Sequence, residues 1–223
     1  MAKKQVTTGD HRKAKEYEKQ GLQAYQEWDM DRAIKCFQSA ARLVPDEPDY
    51  LLHLARVLAR SGDFDQALRA LADFMRLEPD SPLAGRFEQL FASGMDEVEL
   101  LLTDKMAAAG MPIEEIGVAI QMWLEYRIAL GRDPLIVRKS ETWASALDYT
   151  VRKVNLRPAK RREIATFYGI SERAVRDRHN DLVRTLDVMP CDYRYFTGTE
   201  NPLDKLIEAA ELLEQLEARF REP

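Results

Sequence analysis

The sequence has 223 residues, 45% of them hydrophobic, which is enough to bury one large core or two modest ones. Its formal charge of −5 excludes a protein that coats nucleic acid with its whole surface, because counterion release needs a dense cationic face. The two cysteines, Cys36 and Cys191, are far apart and form no CxxC pair, which excludes a disulfide framework or zinc knuckle and predicts a reducing, cytoplasmic setting.

No stretch reaches the roughly 18 consecutive apolar residues of a membrane helix, and the charged start leads into no apolar export segment. A soluble chain with no membrane partner is expected. Helical periodicity begins near His11. From Ala14 the chain places Gly21, Ala33, Phe37, Ala40 and Pro45; from Pro48 it places Ala55, Ala67, Leu71, Phe74 and Pro79. Ala33 and Ala67, and likewise Pro45 and Pro79, are 34 residues apart.

That period, with small, aromatic and proline positions in this order, resembles the tetratricopeptide repeat over Ala14 to Ser81. The resemblance implies two helical hairpins. In each, Gly21 or Ala55 on the first helix and Ala33 or Ala67 on the second permit close approach, and the prolines end the pair. Asp63 after Gly62 predicts the start of a helix. Phe74 stands where the family usually has alanine, and Ala24 where it usually has tyrosine. A third copy does not follow: Leu101 falls where the next alanine belongs, and Pro112 comes one residue early. The resemblance also implies a peptide groove along the first helix of each pair, at Lys15, Glu18, Leu22, Tyr25 and Gln26, then Asp49, Leu52, Arg56 and Arg60. These residues do not reproduce the Lys and Asn pattern of the chaperone-tail carboxylate clamp.

Residues 81–94 give no clear pattern. Val98, Leu101, Leu102 and Met106 predict a helix from Met95 to Ala109. After Pro112, Ile113, Ile116, Ile120, Trp123, Leu124 and Ile128 trace the apolar stripe of a long core helix ending at Gly131. Trp143, Ala146, Leu147, Val151 and Val154 predict another, with Trp143 as a core anchor.

Lys160 to Leu186 reads as two short helices joined at Gly169. Ile164, Ala165 and Tyr168 point inward, Gly169 takes positive φ, Ile170 plugs the core, and Ser171 caps the second helix. Val175, His179, Leu182 and Leu186 form its buried stripe, so His179 reads as a core histidine. The spacing of Ala165, Gly169 and Val175 matches a helix-turn-helix. It resembles the last helices of the cyclin-like repeat in TFIIB-type transcription factors. Over Pro134 to Phe196, WASALDY, Asn155, EIATFYGIS and CDYRYF resemble a bacterial domain of unknown function. If the motif reads DNA, Ser171, Arg173 and Arg176 would face bases, and Arg157, Lys160, Arg161 and Arg162 would meet phosphates. Glu172 and Asp177 place negative charge on the same face. Residues 132–184 hold thirteen Lys and Arg against seven Asp and Glu, a local net of +6 that leaves −11 for the remainder. Such asymmetry suits a nucleic-acid footprint, and equally a basic half docked on an acidic one.

Tyr193, Tyr195 and Phe196 are expected to fold back on the domain. Asn201 and Pro202 open a terminal helix whose apolar side is Leu203, Leu206, Ile207, Ala210, Leu213, Leu216 and Phe220. That side either packs on the repeats or pairs with a second copy in a homodimer. The pattern predicts an all-α chain: repeats over residues 1–94, a helical domain over 95–200 containing the helix-turn-helix at 160–186, and an amphipathic helix over 201–223. No phosphate-binding loop, nucleophile elbow or paired carboxylate appears, so no catalysis, metal or cofactor is expected. The expected function is that of an adaptor binding a protein or peptide in the repeat groove and duplex DNA at the helix-turn-helix. The alternative is a protein-interaction scaffold that binds no nucleic acid.

Overall fold

The structure, a computed structural model, describes residues 6–91 and 95–200, together with Pro202, Asp204, Ile207 and Ala210. The described residues form an all-helical chain, and none is in a strand. The helices are α1 (Thr8–Gln26), α2 (Met30–Leu43), α3 (Pro48–Arg60), α4 (Phe64–Leu77), α5 (Pro82–Phe91), α6 (Glu97–Ala108), α7 (Ile113–Ala129), α8 (Ser140–Val154), α9 (Arg161–Tyr168) and α10 (Glu172–Leu186). Two compact units result. One comprises residues 1–96 with 124–136, the other residues 97–123 with 137–223.

In the first unit the helix starts follow from local chemistry. Thr7 and Asp10 form a reciprocal capping box at α1. Asp29 and Asp63 cap α2 and α4, each accepting at 3.1 Å from the backbone N–H three residues on, and Pro48 opens α3. The same offset relates two turns: Gly62 (φ 85°) and Trp28 (φ 61°) are both left-handed. The second repeat places glycine there. The first places a tryptophan, which carries a steric penalty of about 1–2 kcal/mol for that conformation.

The repeat cores close as small meets large. Ala24, Ala33, Phe37 and Val57 form one buried cluster. A larger one joins Leu52, Ala55, Leu58, Ala67, Leu71 and Phe74 to Leu83 and Phe87 of α5. Phe74, at the family's alanine position, meets Phe87 edge-to-face at 6.0 Å. Within the stretch without a clear pattern, residues 82–91 form α5, and Phe74 is buried against Phe87 of that helix. Ile128, from the end of α7, lies fully buried in this same cluster.

In the second unit α8 packs against α6, α9 and α10. Trp143 is buried, 5.3 Å from Trp123 between ring centres, as its reading as an anchor predicts. Val98, Leu102, Met106, Leu147, Val151, Val175, Leu182 and Leu186 complete this interior. Several expectations need correction. Ile113 is 71% exposed, because it occupies the first position of α7 and the buried stripe starts at Ile116. Ile170 is only half-buried, on the rim of a cavity, and Leu101 is half-buried beside the fully buried Leu102. Tyr195 folds in completely, whereas Tyr193 is 71% exposed. Asn155 holds the returning loop: its amide donates to Tyr195 O at 3.0 Å and its oxygen accepts from Thr197 N at 2.7 Å.

Asn201, Leu203, Leu206, Leu213, Leu216 and Phe220 lie outside the described residues. Ile207 and Ala210, expected on the apolar side of the terminal helix, are helical and exposed.

Candidate functional site

The repeat groove is built on the exposed faces of α1 and α3. On α1, Lys15 and Gln26 are exposed, Leu22 is exposed, Glu18 and Tyr25 are half-buried. Glu18 lies 3.6 Å from His53 Nε2 across to α3. His53 stacks on Phe37, and burial, with Arg56 and then Arg132 adding to it, holds its pKa below the usual histidine value. Arg60 is nearly buried: Nη1 donates to the Tyr25 hydroxyl at 2.8 Å, and its guanidinium stacks 4.0 Å from the Trp28 ring. Arg60 is thus a structural brace between the repeats. The strained Trp28 turn supplies one face of that brace.

The second repeat differs from the open groove that the resemblance implies. Its groove positions are covered by the chain itself. Arg132 donates from Nε to Asp49 Oδ1 at 2.7 Å and grips both oxygens of Glu78 at 3.1 and 3.2 Å. Its guanidinium also lies 5.6 Å from the Phe74 ring centre. Leu52 is buried in the cluster that contains Ile128. Gly131, at φ 53°, sits against Arg56: a side chain added there would come 3.5 Å from Arg56 Cδ. Arg86 of α5 donates to the carbonyls of Gly131 and Asp133. Asp49, Leu52 and Arg56 are therefore occupied positions, and Lys15, Leu22 and Gln26 are the open ones. Arg132 and Arg86 carry no periodic signal in the sequence. Glycine then arginine after a long helix is the only local hint.

α9 and α10 are joined by a tight turn at Gly169. Gly169 is left-handed (φ 69°), Ile170 N donates to Ala165 O at 2.9 Å, and Ser171 Oγ caps α10 by accepting from Ala174 N at 3.2 Å. Tyr168 anchors α9 to α8 through its hydroxyl, which donates to the fully buried Asp148 at 3.1 Å. Burial, then the Asp148 charge, raises the phenol's pKa far above its usual value. His179 is half-buried. Its Nδ1 meets Thr150 Oγ1 at 2.8 Å, its ring lies edge-on to Tyr149, and burial lowers its pKa. No group of His, Cys, Asp and Glu able to hold a metal occurs among the described residues.

Ser171, Arg173 and Arg176 are exposed on the first turns of α10, and Lys160 and Arg162 are exposed at the start of α9. Most of these cations have an acidic neighbour. Arg173 and Arg176 both reach Asp177, at 3.4 and 2.9 Å; Arg161, half-buried, lies 3.7 Å from Glu172; Lys160 lies 3.2 Å from Glu163. The hydrogen bond from Arg176 holds the Asp177 carboxyl below the usual range. Arg162 has no carboxylate within ion-pair distance among the described residues. Arg157, expected to meet phosphates, instead donates from Nε to both oxygens of the buried Glu115 at 2.7 and 2.8 Å. Five of the seven positions expected at DNA, Lys160, Arg162, Ser171, Arg173 and Arg176, thus lie exposed on α9 and α10 or at their caps. Arg161 is partly withdrawn and Arg157 is committed to Glu115.

No helix among the described residues is long and apolar enough to cross a membrane. No curated protein matches the chain. Residues 6–89 match the family model of the tetratricopeptide repeat, which spans α1 to α4 and enters α5. The N-terminal part of this all-helical chain is therefore a tetratricopeptide repeat region.

Proposed function

We propose that the chain is a non-enzymatic adaptor. The repeats bind a protein partner through the open face of α1, and the helix-turn-helix contacts duplex DNA through the start of α10. The protein-binding part rests on the repeat region, whose architecture serves as an interaction module. The observation that carries the DNA part is the exposure of Ser171, Arg173 and Arg176 on the first turns of α10 and of Lys160 and Arg162 at the start of α9, two helix starts whose Arg161 and Glu172 side chains come within 3.7 Å of each other. Exposed ion pairs such as Arg176 with Asp177 are weak because water screens them, so a phosphate or guanine edge competes with them at little cost.

The same pairs favour a second reading, a scaffold that binds proteins alone, because Glu172 and Asp177 repel phosphate wherever the arginines fail to outweigh them. A duplex titration over increasing salt separates the two. Two phosphate contacts, from Lys160 and Arg162, predict a slope of log affinity against log salt of about −2. Replacing Lys160, Arg162, Arg173 and Arg176 together by Ala should abolish binding. No duplex binding at low salt would leave the scaffold reading.

A further inference from the structure

The covered half of the repeat groove points to what that groove selects. We propose that residues 124–133 are a ligand held in cis on the second repeat. The partner that competes for this place would be an apolar segment with an aliphatic side chain followed four residues later by an arginine. The proposal deepens the reading that the repeats bind a protein.

The argument starts from chemistry. α7 ends at Ala129 and the chain turns at Gly131 (φ 53°), so Ile128 on the last helical turn and Arg132 just past the turn both reach the second repeat. Ile128 enters the apolar cluster around Leu52 and Phe74, and Arg132 reaches the carboxylates of Asp49 and Glu78. An arginine fork shared between two carboxylates over an aromatic ring is a recognition geometry that lysine reproduces poorly. These acceptors have a cation already seated on them. Side-chain exposure of 46% for Arg132, 45% for Asp49 and 31% for Glu78 leaves the pair open to competition. The backbone of the segment is fastened separately by Arg86 at Gly131 and Asp133, so removing the arginine loosens recognition without removing every tie.

The test uses the full chain and a labelled synthetic peptide of residues 124–136 as probe, read by fluorescence anisotropy. With Arg132→Glu, which repels the cis segment from Asp49 and Glu78, the peptide should bind at least about tenfold more tightly than to the unaltered chain. A peptide with alanine in place of its arginine should lose that gain. Equal affinity for both chains, or equal binding of the arginine-less peptide, would overturn the proposal. If Arg132→Glu fails to fold, Arg132→Gln is measured in the same way. Hydrogen exchange of the unaltered chain gives an independent reading: the amides of Leu130, Gly131 and Asp133 should exchange well before those of α3. Exchange as slow as α3 would make the segment a permanent part of the core and overturn the idea. A protein partner that binds through Lys15 and Leu22 and is indifferent to the peptide would overturn this proposal and leave the adaptor reading standing.

Discussion

Gly21 and Phe37 meet so closely that a Cβ on Gly21 would lie 2.9 Å from two atoms of the ring. Thirty-four residues on, the corresponding pair is Ala55 and Leu71, both fully buried. The repeats conserve the volume of the contact and redistribute it, the smaller first residue facing the larger second one. Gly21→Ala should therefore destabilise the chain by about 1–3 kcal/mol despite alanine's better helix propensity. Adding Phe37→Leu, which copies the second repeat, should recover much of the loss. Gly117 on α7 is the control, since a Cβ there meets nothing within 4 Å. Gly117→Ala should stabilise by up to about 1 kcal/mol. Thermal unfolding of the four chains checks all of these.

Arg157 and Glu115 give a second prediction, one that separates structure from DNA contact. Glu115 is 3% exposed, and Arg157→Ala leaves its carboxylate without this cation. The loss should be about 2–3 kcal/mol, below the 3–5 typical of fully buried pairs because Arg157 remains partly open to water. Arg157→Ala with Glu115→Leu should restore most of the stability. Neither change should alter the salt slope of duplex binding, whereas a role for Arg157 at phosphates would reduce the slope by about one.

The two partly buried histidines make stability depend on pH in a defined direction. Burial lowers the folded-state pKa of both His53 and His179 below the ordinary 6.5. Below pH 6.5 the unfolded chain binds protons that the folded chain refuses, so stability falls as pH drops from there toward the folded values and is flat above neutrality on their account. Denaturant midpoints measured across this range should show the decline. His53→Gln with His179→Gln should flatten it.

Tyr168 and Asp148 hold α9 in place. Tyr168→Phe removes a hydrogen bond to a buried carboxylate and should cost about 1.5–3 kcal/mol. Because Asp148 keeps Arg152 as a partner, the variant should stay folded, with helical circular dichroism unchanged and a lower unfolding temperature.

Much of this was legible in the sequence wherever a local signal existed. The 34-residue offset, the Asp63 cap, positive φ at Gly169 and the Ser171 cap are written in residues whose own backbone needs them. The bounds of α9 and α10 follow to within a residue. What escaped notice is long-range. Nothing near Arg132 says that it reaches Asp49, 83 residues back, and nothing near Arg157 says that a buried Glu115 awaits it. The repeat pattern assumes each groove position is free, so Leu52 and Arg56 read as binding residues although Ile128 and Gly131 cover them. Trp28 was silent for another reason: its turn geometry is the one that glycine supplies at position 62.

The central claim joins a protein-binding repeat region to a DNA contact at α10, and hydrogen exchange of the whole chain with and without a mixed-sequence duplex at low salt tests it most directly. The account predicts protection concentrated at residues 160–178, with the open face of α1 unaffected and free for its partner. Unchanged exchange across α9 and α10 with duplex in excess would contradict it.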